Sequence, residues 1–180
     1  AMFDRAIRVR PNYVNAINSK GVVLKEMVRY DEAIETYLSG LKFAPDNHEL
    51  LANLSAAYAA AGQPEKAIAI LDKVVKLNPK DAQNFLRRGI IYGEQGDSQG
   101  AVRNISQALD LAPDMAEAHR LLTVFQKTKP GDPHIDQMEA LFVRTAIDAD
   151  AQMRLSFALG KAFEDTGDLK SAFAYWNVGN

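Results

Sequence analysis

Four prolines, Pro11, Pro45, Pro79 and Pro113, stand 34 residues apart, each inside a similar phrase: IRVRPNYVNA, LKFAPDNHEL, VKLNPKDAQN and LDLAPDMAEA. A recurrence of that length marks one supersecondary unit repeated in tandem, each unit burying its apolar face against the next. With the proline as position 32, the units begin at Val14, His48, Ala82 and Ala116. Position 20 of the first three is then Ala33, Ala67 and Ala101, and position 24 is Tyr37, Leu71 and Ile105. Position 8 is Gly21, Ser55 and Gly89, while position 11 is Leu24, Tyr58 and Tyr92. Small residues thus alternate with large ones at fixed places. That pattern lets two helices approach closely and fills the space beside the crossing.

Each unit carries two amphipathic segments, as in HELLANLSAAYAAAG and EKAIAILDKVVKLN of the second, separated by a turn at Gly62 and Pro64. Gly96 and Gly167 mark equivalent turns. Glycine supplies the left-handed conformation after a helix, and proline halts the preceding unit. No strand-like alternation of useful length interrupts the helical periodicity, so the expected class is all-α.

The pattern resembles the tetratricopeptide repeat, with several positions agreeing in phase over residues 3 to 128. The resemblance implies a right-handed superhelix of helix-turn-helix repeats. The expected organisation is one solenoid over 1–180: a partial repeat at 1–13, regular repeats at 14–47, 48–81 and 82–115, a divergent repeat at 116–152 and a truncated one at 153–180. The apolar opening stretch reads as the second half of a helical hairpin, which suggests a piece of a longer protein. The fourth unit breaks the pattern with TKPGDPHIDQMEALFVRTA, where two prolines around a glycine stiffen the loop.

In this family the first helix of each repeat lines a concave groove through positions 2, 5, 6, 9, 12 and 13. The resemblance therefore implies a protein or peptide partner, with Asn15, Asn18, Asn53, Arg87 and Arg120 as its candidate contacts. Asparagine can bond both groups of an extended backbone, and arginine can hold a carboxylate bidentately. Asn53 and Arg87 match part of the carboxylate clamp of related repeats. The clamp's other positions depart from it, with Asn18 and Gln83 where lysines are expected and Val22 where an asparagine is expected.

Residues 116 to 180 carry a narrower likeness, in DPHIDQMEAL and LSFALGKAFEDTGDLKSAFAYWNVGN. They resemble the repeat region that precedes the catalytic domain of bacterial tetratricopeptide-repeat sulfotransferases. This implies, as an alternative, that the repeats recognise the acceptor of a sulfotransferase whose catalytic domain lies beyond Asn180. A third alternative is self-association through the repeat ends, where Phe3, Ile7, Phe173 and Trp176 fall.

The chain itself offers no constellation for catalysis, so it is not expected to be an enzyme, nor to hold a metal or cofactor. There is no cysteine, and the three histidines, His48, His119 and His134, lie in different units or junctions. No HExxH motif is present, and GEQGDSQG at 93–100 lacks the lysine of a phosphate loop. His119 occupies position 4, a packing position. Glu164, Asp165 and Asp168 surround a turn, where solvating and capping helix ends is their expected work. Tyr58, Tyr92, Phe163 and Trp176 fall at packing positions, which argues against a base-stacking surface. A net charge of -2 gives no basic field for nucleic acid, and no apolar run approaches the about 20 residues that span a bilayer. Lack of cysteine fits a reducing compartment, and the expected location is the bacterial cytoplasm.

Overall fold

The computed structural model describes residues 2–144 and 148–179. Thr145, Ala146 and Ile147, inside the expected divergent repeat, lie outside the described residues, as do Ala1 and Asn180 at the ends of the expected terminal repeats. Among the described residues every regular element is an α-helix: α1 (Met2–Val9), α2 (Val14–Glu26), α3 (Tyr30–Leu41), α4 (His48–Ala60), α5 (Pro64–Leu77), α6 (Ala82–Glu94), α7 (Ser98–Leu111), α8 (Ala116–Phe125), α9 (Pro133–Phe142), α10 (Ala149–Thr166) and α11 (Leu169–Gly179). The class is all-α. The chain forms two compact units, 1–84 and 85–180.

In the first unit α2 packs on α3 and α4 on α5, and α3 also meets α4. The core joins Leu24, Ala33, Ile34, Tyr37, Leu50, Leu54 and Ala57. Tyr37 is fully buried, and the position of an added Cβ on Gly21 falls on its ring. Position 8 is thus small because position 24 of the same repeat occupies its space. Gly89 meets Ile105 and Gly160 meets Trp176 in the same way in the second unit. The position-20 alanines Ala33, Ala67, Ala101 and Ala172 are all fully buried. Lys73 on α5 holds the joint between repeats, donating to the Pro45 carbonyl at 2.8 Å and pairing with Asp46 at 2.8 Å.

The turns after α2, α4, α6 and α10 are hydrogen-bonded alike. After α4, Gly62 N–H reaches the Ala59 carbonyl and Gln63 N–H reaches the Tyr58 carbonyl; after α6, Gly96 and Asp97 do the same to Gly93 and Tyr92. Such a turn needs one left-handed residue, and Gly62, Gly96 and Gly167 supply it with φ of 69°, 81° and 88°. The first hairpin departs from this. Val28 takes the position at φ 61°, with Val28 and Arg29 making the corresponding bonds to Lys25 and Leu24. A β-branched side chain there crowds its own backbone, a strain of about 1–2 kcal/mol.

In the second unit α10 packs against α8, α9 and α11. Ile135, Met138 and Leu141 of α9 meet Leu155, Ala158, Leu159 and Ala162 of α10. Helix α8 stops at Phe125, where Gln126 turns extended, and α10 begins at Ala149, ahead of Met153. The intervening loop is tied down by Asp165, which was expected at a solvated helix end. Its side chain is instead buried, accepting the Thr128 N–H at 3.1 Å and pairing with Lys161 at 2.6 Å. Asp168 does act as a cap, taking the Ser171 N–H at 3.1 Å.

Two substitutions test this account by urea unfolding. Val28→Gly removes the left-handed strain of an exposed side chain and should stabilise the chain by about 1 kcal/mol. Gly21→Ala should cost about 1–3 kcal/mol, because the fully buried Tyr37 ring has no room to retreat.

Candidate functional site

The first helices of the repeats present the candidate contacts. In the first unit Asn15 is exposed on α2, one turn before Asn18. Asn18 donates to Glu49 Oε1 at 2.8 Å, and its Oδ1 accepts from Asn53 Nδ2 at 2.9 Å. Two asparagines and a carboxylate from α2 and α4 thus form one lateral network. Each amide donates one of its two Nδ2 hydrogens in these bonds, so Asn53 keeps its Oδ1 and a second hydrogen to pair with an extended backbone. Glu49 is the group that orients Asn18.

In the second unit Arg87 is exposed on α6 and bonds no described side chain, whereas Arg120 on α8 is engaged. Its guanidinium donates to both Glu117 oxygens, at 2.9 and 2.7 Å. Glu117 also pairs with Arg154 of α10, which in turn bonds Asp150 at 2.9 Å. The bonds from Arg120, and then from Arg154, hold the Glu117 carboxyl below its ordinary range against the opposing effect of burial. Arg154 was not singled out from sequence, yet a signal existed. It lies at position 2 of its repeat, as Glu117 does of the previous one, and stacked first helices bring like positions together.

The structure also joins two histidines that the sequence kept apart. His119, at a core position of α8, is 2 % exposed, and its ring stacks on that of His134 with centroids 4.9 Å apart. His119 Nε2 lies 2.8 Å from the Pro113 carbonyl, and its Nδ1 lies 2.7 Å from His134 Nε2. A carbonyl only accepts, so His119 carries its proton on Nε2 and offers Nδ1 as acceptor. His134 must then donate from Nε2, which leaves its own Nδ1 as a bare lone pair. Burial is the main cause lowering both rings. His134 is pushed to about 4, with His119 adding to the effect and Asp132 opposing it. Burial outweighs the Pro113 carbonyl and Asp114 at His119.

Comparison with known proteins follows from this architecture. Models of the tetratricopeptide repeat match residues 1–87 and 54–126. Residues 1–126 are tetratricopeptide repeats. Among relatives, the heat-shock protein cognate co-chaperone sgt12 of Aspergillus fumigatus is 33% identical over 85 residues, covering 47% of this chain and 25% of that protein. A UDP-N-acetylglucosamine–peptide N-acetylglucosaminyltransferase of Giardia intestinalis is 29% identical over 116 residues, covering 64% of this chain and 8% of that enzyme. The chain therefore spans a quarter or less of these relatives. The crystal structure of the MamA protein, 23% identical with a TM-score of 0.68 over 92% of this chain and 89% of that one, shares the repeat fold. The first tetratricopeptide domain of Spaghetti (RPAP3), solved bound to the HSP90 peptide SRMEEVD, is 26% identical with a TM-score of 0.59, over 62% of this chain and 89% of that one.

The histidine pair predicts a pH response. Unfolded imidazoles take up protons as pH falls through about 6.5, while folded His134 resists until about 4. The unfolded state thus binds more protons in that window, and stability declines as pH falls from about 6.5 towards 4. Urea midpoints should show this slope in the wild type and lose most of it in a His119→Phe, His134→Phe double variant. An unchanged slope would mean that other groups produce it.

Proposed function

We propose that this chain is an interaction scaffold that holds an extended peptide, or such a segment of a protein, on the first-helix faces of its repeats. The observation that carries this reading is the network of Asn18, Glu49 and Asn53, which fixes two amides in place and leaves Asn53 able to pair with a peptide backbone. Arg87 adds an uncommitted guanidinium on α6, suited to a carboxylate. Arg120 is held by Glu117, so it contributes by orientation, and a ligand carboxylate would have to compete with Glu117 for it. Asn15 extends the polar face of α2. The relatives support the reading through what their own names say: a co-chaperone, and a repeat domain bound to an HSP90 peptide. Fixed side chains reduce the ordering cost of binding.

The likeness of residues 116–180 to sulfotransferase-associated repeats supports a narrower role, acceptor recognition, and with it a bacterial cytoplasmic setting. The matched relatives are named for other activities, and the lateral asparagine network serves peptide binding whichever domain accompanies the repeats. Self-association through repeat ends has Phe173, 65% exposed, in its favour.

The test is selection of displayed peptides on the immobilised chain, followed by fluorescence polarisation of the recovered sequence. Asn53→Ala and Arg87→Ala should each weaken binding by about 1–3 kcal/mol, the range for a hydrogen bond lost at a buried or charged contact, with circular dichroism unchanged. Equal affinity for both variants and wild type would sink the placement.

A further inference from the structure

The irregular fourth repeat, in the second unit, forms a half-open cleft of about 290 Å³. Its polar wall includes Ser106 and Asp110 of α7, Thr123 and Gln126 at the end of α8, Asp132 and His134 at the start of α9, and the neutral side chains of Thr128 and Gln137. Neither Arg87 nor Arg120 takes part, so the cavity is distinct from the peptide-binding face. Its origin is visible in the repeat register. Position 11, which is Leu24, Tyr58 and Tyr92 in the preceding units, is Gln126 here, and α8 stops one residue short of it. A large packing side chain has been replaced by an exposed amide beside a longer loop.

The chemistry of the wall is one-sided. Asp110 and Asp132 bring two carboxylates, and no lysine or arginine lines the space. Asp132 commits Oδ1 to the His134 backbone N–H at 3.0 Å. His134 lines the cavity while His119 does not, and the bond sequence from the Pro113 carbonyl through His119 fixes its Nδ1 as an acceptor. Position 4, occupied by Ile17, Leu51 and Phe85 in other repeats, thus carries an imidazole that sets the tautomer of a second one. Leu109 and Leu122 add apolar surface. Carboxylates, a neutral imidazole lone pair and a short apolar wall together complement a cation with several N–H donors and an aliphatic stem.

We propose that this cavity is a binding site for a guanidinium group, which meets Asp110 and Asp132 with its planar fork and donates to His134 Nδ1, with His119 as the positioning residue. The group can arrive on a free guanidino compound or on the arginine side chain of a protein partner.

The experiment titrates the isotope-labelled chain with methylguanidinium, using neutral methylurea as the matched control. Saturable shifts are expected at Asp110, Thr123, Gln126 and Asp132, together with a change at the His134 Nδ1 nitrogen resonance, and none from methylurea. Asp110→Asn, a change at an exposed position, should weaken binding roughly tenfold, as expected for loss of a charge-assisted bond. His119→Phe copies the residue of the preceding repeat; it should mix the His134 tautomers in the nitrogen spectrum and weaken binding as well. An equal response to methylurea, no saturable shift, or undiminished binding by Asp110→Asn would overturn the proposal. Agmatine and a capped Gly-Arg-Gly peptide separate the sources. Tighter binding of agmatine assigns a free compound, and tighter binding of the peptide assigns an arginine side chain.

Discussion

The contact between position 8 of a first helix and position 24 of the second sets the geometry of the regular hairpins. Where position 8 is glycine, the facing side chain fills the volume a Cβ would take, as Tyr37 does at Gly21, Ile105 at Gly89 and Trp176 at Gly160. Backbone and large side chain then meet directly, and the two helices are drawn together without a void. The buried alanines of position 20 permit the same approach elsewhere along the crossing. The direction of the first helices that carry this contact follows from it, so the polar residues that line their outer surfaces inherit their placement from a packing rule. Asn18 reaches Glu49 and Asn53 because α2 and α4 are held in that spacing.

The fourth repeat shows what happens when the rule lapses. Thr123 stands at position 8, Glu139 at position 24 and Gln126 at position 11, so the small-to-large contact is missing. The segment is held by other means: α9 is packed onto α10, the loop is tied to Asp165, and the His119 imidazole at a core position stacks on that of His134. Burying polar groups in this way stabilises less than an aliphatic core does, and the bonds satisfying them have to be complete. His119 meets that demand with both ring nitrogens engaged.

The helical class and the regular repeats were legible because the 34-residue period is carried by residues whose size or backbone preference is decisive, such as Gly21, Ala67 and Pro79. Side-chain partnerships were less legible. Val28 gave no sign that it would take the left-handed turn, since its conformation is imposed by the helices on either side and not by its own preference. The pairing of His119 with His134 depends on the path of an irregular loop, which has no counterpart in the other units. The repeat register names Asn18, Asn53 and Arg120 as candidates, but only the structure reveals that Asn18 and Asn53 bond each other while Arg120 is occupied by Glu117. Residue type identified possible donors, and geometry determined which of them are already spent.

Pro113 belongs to the series that punctuates the repeats, and its value there lies in the nitrogen that cannot donate. Its carbonyl has a second consequence. By accepting from His119, it gives the chain of imidazoles a direction, in which each ring must pass a hydrogen inward and expose its basic nitrogen outward. A residue that ends one helical hairpin therefore also decides which way the hydrogen bonds of an imidazole pair run in the next, and any change of backbone at this joint would be felt as a change of tautomer at His134.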